Sequence, residues 1–405
     1  MCAVVWLRLL LLLVGVLGAR GSPEDDETRQ IYLQFNPGYA SSSVNLLHTR
    51  AVGNGSTIHY VWSTIGAPTV LLIYTETQHS DLRVNWTKLL SPDPHGAITI
   101  EPADSVLYST ALTFTRIFEY KDVNNTANFT GTAEKYFYPP YDLSGFAWEN
   151  ANNTVNSSSF SFRLTGADES DPSGSFSNGS ISFKVSAYDR AGRDASSPRL
   201  LHTANCTKLE FTISGVHPRG NNSRYALEMV TVEKKSGRKK VRSVRSIDDE
   251  YTPTIFEVIE LLPDAPNASH ALGYFQWKSV AYGSVGGSRS DALPCVVYEP
   301  QSMNETRPVP RIIQAFYGEQ LSDHYNMEVL NVSYGIADGD FYEKNKFLGW
   351  SVLVGYGAPP RDSFSILVIC IMAVVLGIPL VLLIVGAIVV SFMKKRVFSN
   401  YQPIN

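Results

Sequence analysis

Apolar and polar residues alternate over most of the first 360 residues. The stretch "SISFKVSAYD" places Ile181, Phe183, Val185 and Ala187 on one face, as in a strand with one buried side. Similar segments recur between clusters of Gly, Asn, Pro and Ser, whereas long helical periodicity is scarce. The pattern predicts an all-β region of antiparallel β-sandwiches. The predicted strands are "IYLQF", "TIHYVWST", "TVLLIYTE", "ALTFTRIFEY", "FSFRLTG", "SISFKVSAYD", "KLEFTISG", "YALEMVTVEK", "TIFEVIEL", "FQWKSVAYG", "CVVYEP", "IIQAFYG", "EVLNVSYG" and "WSVLVGYG".

This β-rich region is long for one sandwich, because a single hydrophobic core seldom serves more than about 250–300 residues. We therefore predict two β-sandwich domains, residues 22–200 and 201–358. The segment "DRAGRDASSPRLLHTANC" is the predicted boundary. Residues 359–363 form a short stalk after the second domain.

A long uncharged run follows the stalk. No residue from Ser363 to Met393 is charged, and a helix needs about 20 apolar residues to span a bilayer. We predict a transmembrane helix at residues 364–393. Three basic residues, 394–396, follow it, so the positive-inside bias places the tail, residues 394–405, in the cytosol.

The N-terminus, residues 1–21, has a short apolar run that ends in small residues, as in a secretory signal peptide. An uncleaved anchor is the alternative. With the signal removed, the chain is predicted to be a type I single-pass membrane protein whose β-rich region lies in the lumen of the secretory pathway.

Acceptors for N-linked glycans are frequent in the predicted luminal region. Each is an Asn-X-Ser/Thr triplet without proline at the middle position, and each must be exposed to carry a glycan. The twelve positions are Asn54, Asn85, Asn124, Asn128, Asn152, Asn156, Asn178, Asn205, Asn221, Asn267, Asn304 and Asn331.

Cysteine usage predicts one disulfide bond. Of the four cysteines, Cys2 lies in the signal and Cys370 in the membrane helix. Cys206 and Cys295 remain, and a lone pair in an oxidising compartment most often forms a disulfide. Two cysteines at this spacing do not indicate a metal site.

The basic run "EKKSGRKKVRSVRS", residues 233–246, resembles a nuclear-localisation or nucleic-acid-binding segment. The predicted topology opposes this reading, and the formal net charge of −4 shows no bias towards nucleic acid. We instead predict a β-hairpin with Ser236 and Gly237 at its tip, flanked by "YALEMVTV" and "TIFEVIEL".

The sequence contains no nucleophile elbow, zinc-protease motif, P-loop or dinucleotide fingerprint, and it predicts no cofactor. The carboxylates of Asp338, Asp340 and Glu343 miss the spacing of a calcium loop and predict a solvated turn. Paired carboxylates for glycoside hydrolysis stay open, because such residues need not be close in the chain.

The last residues of the tail match a sorting signal. Tyr401 and Ile404 fit the pattern of tyrosine, two variable residues and a bulky hydrophobic residue, which clathrin adaptors read. An extended peptide places these two side chains in separate pockets. A clathrin adaptor is therefore a predicted partner.

The chain resembles the glycosylated lysosomal membrane protein family from end to end. The resemblance lies in the signal, the Asn-rich region, the approach "FLGWSVLVGYG", the proline-containing span and the terminal "YQPIN". It implies a non-enzymatic protein of the lysosomal membrane, an accessory subunit that protects a lysosomal major-facilitator transporter from proteolysis and supports its lysosomal residence. A membrane-tethered lysosomal hydrolase or glycan-binding protein is the alternative, which a deep pocket with convergent carboxylates would favour.

Overall fold

The computed structural model divides the chain into a compact β-rich unit, Asp26–Pro360, and a separate unit that contains the C-terminal helix. The residues it describes are 27–40, 44–150, 154–156, 159–161, 164–167, 173–235, 237–245, 257–264, 272–304, 306–318, 320–361 and 366–399.

The described part of the β-rich unit consists mainly of strands, with three short α-helices and a few 3-10 turns. The helices are α1 (Trp86–Leu89), α2 (Arg311–Tyr317) and α3 (Gln320–His324). The strands are β1 (Gln30–Phe35), β2 (Leu46–Val52), β3 (Thr57–Ser63), β4 (Thr69–Thr75), β5 (Asp81–Val84), β6 (Ile98–Glu101), β7 (Val106–Lys121), β8 (Tyr141–Asp142), β9 (Ala147–Asn150), β10 (Thr154–Asn156), β11 (Ser159–Ser161), β12 (Leu164–Ala167), β13 (Ser180–Ala187), β14 (Gly192–Arg193), β15 (Leu201–His202), β16 (Cys206–Ser214), β17 (Ser223–Lys234), β18 (Lys239–Arg245), β19 (Glu257–Pro263), β20 (Gly273–Lys278), β21 (Val280–Tyr282), β22 (Ala292–Val297), β23 (Gln301–Ser302), β24 (Tyr325–Tyr334) and β25 (Phe347–Tyr356).

The strands form two large antiparallel sheets. The first sheet has the order β1–β2–β3–β4–β7–β17–β24–β22. The second has the order β9–β12–β13–β16–β25–β20–β19–β18. The short strand β21 pairs with both β22 and β25, so the two sheets are joined at this corner.

The main core lies between the facing sides of the two sheets, as in a β-sandwich. Phe114 of β7 and Phe183 of β13 meet across it, with ring centroids 5.0 Å apart. Trp277 and Trp350, from neighbouring strands of the second sheet, are fully buried with centroids 5.6 Å apart. Large aromatic side chains of this kind dominate the burial of apolar surface in a core.

A second layer covers the outer face of the first sheet. The β5–β6 ribbon, α1 and α2 pack their apolar side chains there, including Ile312 and Ile313 of α2 against Val230 of β17. The first sheet is therefore buried on both faces, which explains why strands such as β3 are buried along their whole length.

The all-β prediction is confirmed, with a different arrangement around residue 200. Strands from both sides of that residue pair with each other, β7 with β17 and β13 with β16. The predicted boundary between two sandwiches thus lies inside one compact unit, whose single main core draws side chains from both halves.

The segment "IIQAFYG" forms the helix α2 rather than a strand. Its buried residues Ile313 and Tyr317 are four positions apart, which is a helical spacing. Pro310 precedes the helix, and Gly318 ends it with a positive φ of 57°. The sequence prediction of a strand at this place was wrong, because a short apolar run fits both patterns.

The predicted hairpin at Ser236 and Gly237 is also wrong. Ser236 lies outside the described residues, but β17 belongs to the first sheet and β18 to the second, where β18 pairs with β19. The basic residues therefore lie along β18, which is an edge strand, and not at the tip of a hairpin.

The predicted membrane helix is present as α4 (Ile366–Ser399). Within the described part of the chain, its segment Cys370–Lys394 is the one helix long and apolar enough to cross a membrane. The apolar side chains of this segment are exposed, as expected of a surface that contacts lipid.

Candidate functional site

Most of the predicted glycan acceptors that the structure describes lie on the surface in turns and loops. Asn54 is in the turn between β2 and β3, and Asn178 and Asn221 are in loops that precede β13 and β17. This placement meets the requirement that an acceptor be accessible. The acceptors with exposed side chains are Asn54, Asn85, Asn124, Asn128, Asn178, Asn221 and Asn304.

Local hydrogen bonds hold several of these side chains by their oxygen atoms, as Asn85 and Asn128 show. Asn85 caps α1, where its Oδ1 accepts a hydrogen bond from the Lys88 amide at 3.0 Å. The Oδ1 of Asn128 accepts from the Gly131 amide at 2.9 Å. Among the described residues neither amide nitrogen has a protein acceptor, so the atom to which a glycan is attached stays available.

Asn205 differs from the other acceptors, because its side chain is only 8% exposed. Its Oδ1 accepts from Arg29 Nε at 2.5 Å, and its Nδ2 donates to Glu27 Oε2 at 2.8 Å. This burial conflicts with the exposure on which the prediction of a glycan at Asn205 depends. Asn331 is half-buried within β24.

Substitution of Asn205 should therefore affect stability rather than glycan content. Asn205→Gln should leave electrophoretic mobility unchanged and lower the free energy of unfolding by about 1–3 kcal/mol, because buried polar partners lose their hydrogen bonds. Asn54→Gln should remove one glycan and thereby increase the electrophoretic mobility. It should change the free energy of unfolding by less than about 0.5 kcal/mol. A mobility shift in Asn205→Gln would contradict the structural role.

Several predicted positions lie outside the described residues. They are Asn152 and Asn267, the signal at 1–21, and the sorting residues Tyr401 and Ile404. For Asn156 the structure describes the backbone, in β10, but not the side chain.

The predicted disulfide between Cys206 and Cys295 is not formed, and both residues are buried free thiols. Cys206 lies opposite Gly355 of β25, whereas the Cys295 thiol lies beside Trp350 of the same strand. These strand positions are five residues apart, which corresponds to about 16 Å. Burial raises the pKa of Cys206 to about 11 and raises that of Cys295 as well, so both stay protonated and unreactive.

The two thiols should react with maleimide only after the chain is unfolded. Without reductant, the native full chain should leave both luminal cysteines unlabelled, and denaturant should expose both to alkylation. Mass spectrometry of the alkylated peptides provides the measurement. Labelling that needs prior reduction would show a disulfide instead.

The backbone that bears the carboxylates near residue 340 turns around the side chain of a buried arginine. Arg224 donates to Asp122 Oδ2 at 2.8 Å and to the backbone carbonyls of Ile336 and Gly339 at 3.1 and 3.3 Å. Asp340 pairs with the exposed Lys344 at 2.6 Å. Asp338 and Asp340 lie in an exposed turn as predicted, whereas Glu343 is half-buried and accepts a hydrogen bond from the Ser223 amide at 2.7 Å. The residues that the structure describes contain no cluster of three or more groups able to hold a metal ion.

A buried histidine pair is a feature that the sequence analysis missed. His48 Nε2 and His59 Nδ1 are 2.9 Å apart, and His59 Nε2 is 2.9 Å from Ser80 Oγ. Each link needs one proton, so the chain is complete with both rings neutral. Burial lowers the pKa of His48 to about 4 and that of His59 to about 3. Asp81 partly offsets the shift at His48, while the charge of Arg50 adds to it at both rings.

A buried ion pair links the two sheets. Lys239 at the start of β18 donates to Glu233 Oε2 of β17 at 2.8 Å, and Tyr108 of β7 donates to the same oxygen at 2.5 Å. The Lys239 ammonium also lies 4.8 Å from the ring centroid of Phe275 in β20. Because the partners come from different sheets, this pair positions one sheet against the other.

The fold and the acceptor-rich surface define a single-pass membrane glycoprotein, with a large β-sandwich unit on one side of the bilayer. The chain belongs to the glycosylated lysosomal membrane protein family, whose family model matches residues 45–397.

Relatives from several vertebrates cover nearly the whole chain. Glycosylated lysosomal membrane protein A from Xenopus laevis is 65% identical, with both chains fully covered. Glycosylated lysosomal membrane protein from Bos taurus is 40% identical over 100% of this chain and 97% of the relative. The Homo sapiens relative is 39% identical over 98% and 94%. The chain is therefore a lysosomal single-pass membrane glycoprotein with its β-rich unit in the lumen.

Proposed function

We propose that this protein is a non-enzymatic accessory subunit of a lysosomal major-facilitator transporter. In this role its luminal unit covers the luminal loops of the transporter and shields them from proteases, and its tail supports lysosomal residence. The observation that carries the proposal is the uneven distribution of exposed glycan acceptors over the luminal unit.

One end of the sandwich, here called the acceptor-rich end, contains Asn124, Asn128, Asn178 and Asn221. The loops that bear them are adjacent. The Asp122 amide donates to the Asn222 carbonyl at 2.9 Å, and Asn178 lies beside Gly215 at the end of β16. Glycans on these loops would hinder proteases where the backbone is most accessible.

The opposite end, here called the exit end, is where β25 finishes and the chain leaves the unit. Tyr356 stacks on Tyr74 with centroids 4.0 Å apart, and Gln276 Nε2 donates to the Pro360 carbonyl at 2.9 Å. Of the acceptors with described, exposed side chains, Asn54 lies at this end, in the turn between Val52 and Thr57, and Asn304 lies towards it, next to Met303, whose amide donates to the Met327 carbonyl near the start of β24. This end therefore has two such acceptors against four at the acceptor-rich end. Protein surface free of bulky glycans is what docking onto another protein requires.

The luminal unit is itself a poor protease substrate in physical terms. Cleavage needs a locally opened segment, and strands that are paired on both edges and buried on both faces open rarely. A transporter with short luminal loops has little room for glycans of its own. Placing the exit end over those loops would protect both chains.

Glycan scanning tests this proposal directly. Ala103→Asn creates an acceptor ahead of Asp104 and Ser105, in an exposed turn at the exit end before β7. Ser288→Asn creates a matched acceptor ahead of Arg289 and Ser290, in an exposed loop at the acceptor-rich end. Both variants should gain one glycan by mass. We expect only Ala103→Asn to reduce co-purification of the transporter and to shorten its lysosomal half-life, with recovery when luminal proteases are inhibited.

A fully glycosylated Ala103→Asn variant that still stabilises the transporter would refute docking through the exit end. If Ser288→Asn reduces co-purification and half-life of the transporter equally, the cause is a general folding defect. Thermal unfolding of both variants detects such a defect.

The adaptor interaction of the tail is tested separately. Tyr401→Ala should move the protein towards the cell surface, because the adaptor loses its main anchor and the tail has no core to disturb. Surface biotinylation measures the shift. An unchanged lysosomal population in cells that lack the transporter would rule out Tyr401 as the sorting residue.

A further inference from the structure

A cleft of about 220 Å³ opens on the outer side of the first sheet, between β7, β17 and the segment that leads into α2. Nothing in the proposed accessory role uses it. Its polar lining includes Arg116, Arg307, Arg311, Glu228 and Asp142. Three arginines and two carboxylates are thus among the lining residues, which carry a formal surplus of one positive charge.

Glu228 forms the floor of the cleft and is almost fully buried. Its Oε2 accepts from Arg307 Nη1 at 3.0 Å, and its Oε1 accepts from Thr115 Oγ1 at 2.9 Å. Arg116 Nε lies 3.8 Å from the same Oε1. One carboxylate is therefore shared by two arginines, and one guanidinium is enough to neutralise it.

The guanidinium groups of all three arginines have N–H donors that these contacts do not use. Arg116 and Arg307 are 33% and 34% exposed. Arg311 uses Nη1 on the carbonyls of Leu89 and Ser91, at 2.9 and 2.7 Å. Within the described ranges, the other N–H groups of these three arginines meet no protein acceptor. Planar guanidinium groups with free N–H pairs are suited to bind a carboxylate in a bidentate manner.

The rest of the wall is apolar. Met303, Val309 and Val230 line it, together with two prolines that flank Val309. A volume of about 220 Å³ is smaller than the usual pocket for a drug-sized ligand, which is about 300–1,000 Å³. An occupant is therefore small, with one anionic group and a compact apolar body.

We propose that this cleft binds a small organic acid. Its carboxylate lies against Arg116 and Arg307, and its apolar body lies against Met303 and Val309. Glu228 competes with the ligand for the same guanidinium groups, so it sets the affinity and keeps the arginines in place when the cleft is empty. The guanidinium groups of Arg116 and Arg307 share one carboxylate and repel each other, and a bound anion relieves this repulsion.

Calorimetric titration of the full glycosylated chain in lipid nanodiscs tests the proposal, with benzoate as the probe. Empty nanodiscs correct for partition into lipid. Benzamide has the same shape without the charge and should not bind. Inorganic phosphate should bind at least tenfold more weakly than benzoate. Equal binding of phosphate would mean an anion site without a place for an apolar body and would overturn the organic-acid assignment.

Variants locate the site. Arg307→Met and Arg116→Met should each weaken benzoate binding about tenfold or more, because each removes charge-assisted hydrogen bonds. Arg190→Met is the matched control, since Arg190 is 72% exposed, pairs with Asp189 and lies outside the cleft. It should leave the affinity unchanged.

Glu228→Gln provides a test in the opposite direction. Removing the competing carboxylate should strengthen benzoate binding several-fold, which a merely structural salt bridge would not produce. If the arginine variants fail to accumulate, this variant decides the question alone. No benzoate binding to the wild type, or an affinity that Glu228→Gln leaves unchanged, would refute the proposal.

Discussion

Glu233→Ala should lower the free energy of unfolding by about 3–5 kcal/mol, since removing one partner of a buried ion pair leaves the other charge uncompensated. The Lys239 side chain is fully buried, and the Glu233 side chain is 4% exposed. Water therefore cannot replace the lost carboxylate without opening the junction between the sheets. Tyr108 also loses the acceptor of its hydroxyl hydrogen bond. Urea unfolding followed by fluorescence of the buried Trp277 and Trp350 measures the change.

The double variant Glu233→Leu with Lys239→Met is the control. It removes both charges and keeps the volume, so it should recover much of the lost stability. If the double variant is as unstable as Glu233→Ala, the loss comes from packing and not from an unpaired charge. If Glu233→Ala lowers the free energy of unfolding by less than about 1 kcal/mol, the ion pair does not stabilise the contact between the two sheets.

Acidification should weaken the fold through His48 and His59. The pKa of both rings is lowered in the folded chain, to about 4 and about 3, against about 6.5 in the unfolded chain. As pH falls below 6.5, the unfolded state takes up protons first, so stability present at neutral pH is lost progressively towards pH 4 and below. Between pH 7 and pH 5 the loss is about 2 kcal/mol for each ring.

Geometry makes the pair act together. If both rings were charged, an N–H group of His48 would face an N–H group of His59 at a separation of 2.9 Å between nitrogens. Protonation of both rings therefore breaks a side-chain link that joins β2 to β3. For a protein that works in an acidic lumen, this pair removes stability, and the rest of the fold has to offset it.

Denaturant unfolding at several pH values measures this effect. The slope of the unfolding free energy against pH reports how many more protons the unfolded state binds than the folded state. Between pH 6.5 and pH 4 this number should be smaller by about one in His48→Gln and in His59→Gln. Both variants should also be less stable at neutral pH. His79→Gln alters an exposed ring and should keep the wild-type slope. Slopes that are unchanged in the two buried variants would show that other groups cause the acid sensitivity.

The sequence predicted the strands well, because alternation reports directly which side of a sheet is buried. Ile181, Phe183, Val185 and Ala187 are all buried in β13 as the pattern indicates. Alternation says nothing about partners. The pairing of β7 with β17, more than 100 residues apart, decides that the unit is not divided at residue 200. The short run in α2 was ambiguous, because a few mostly apolar residues fit a strand as well as a helix.

For the candidate sites too, local motifs could be predicted from the sequence, whereas contacts between distant residues could not. A glycan acceptor is a three-residue motif and is visible in sequence, but the burial of Asn205 depends on Arg29, 176 residues away. The cysteine pairing failed for the corresponding reason, since the two thiols contact different parts of β25. His48 and His59 are 11 residues apart in the chain, and the register of β2 with β3 brings them together.

The position of β25 has a consequence for biosynthesis. This strand is the last before the membrane helix, yet it lies in the middle of the second sheet, between β16 and β20. The second sheet cannot close until residues 347–356 have entered the endoplasmic reticulum, when the helix that follows is already reaching the translocon. During synthesis β16 must wait, unpaired on one edge, for more than 130 residues of later chain. Chaperones are therefore expected to hold the nascent chain through this interval, and any truncation upstream of β25 yields a product for degradation rather than a smaller soluble domain.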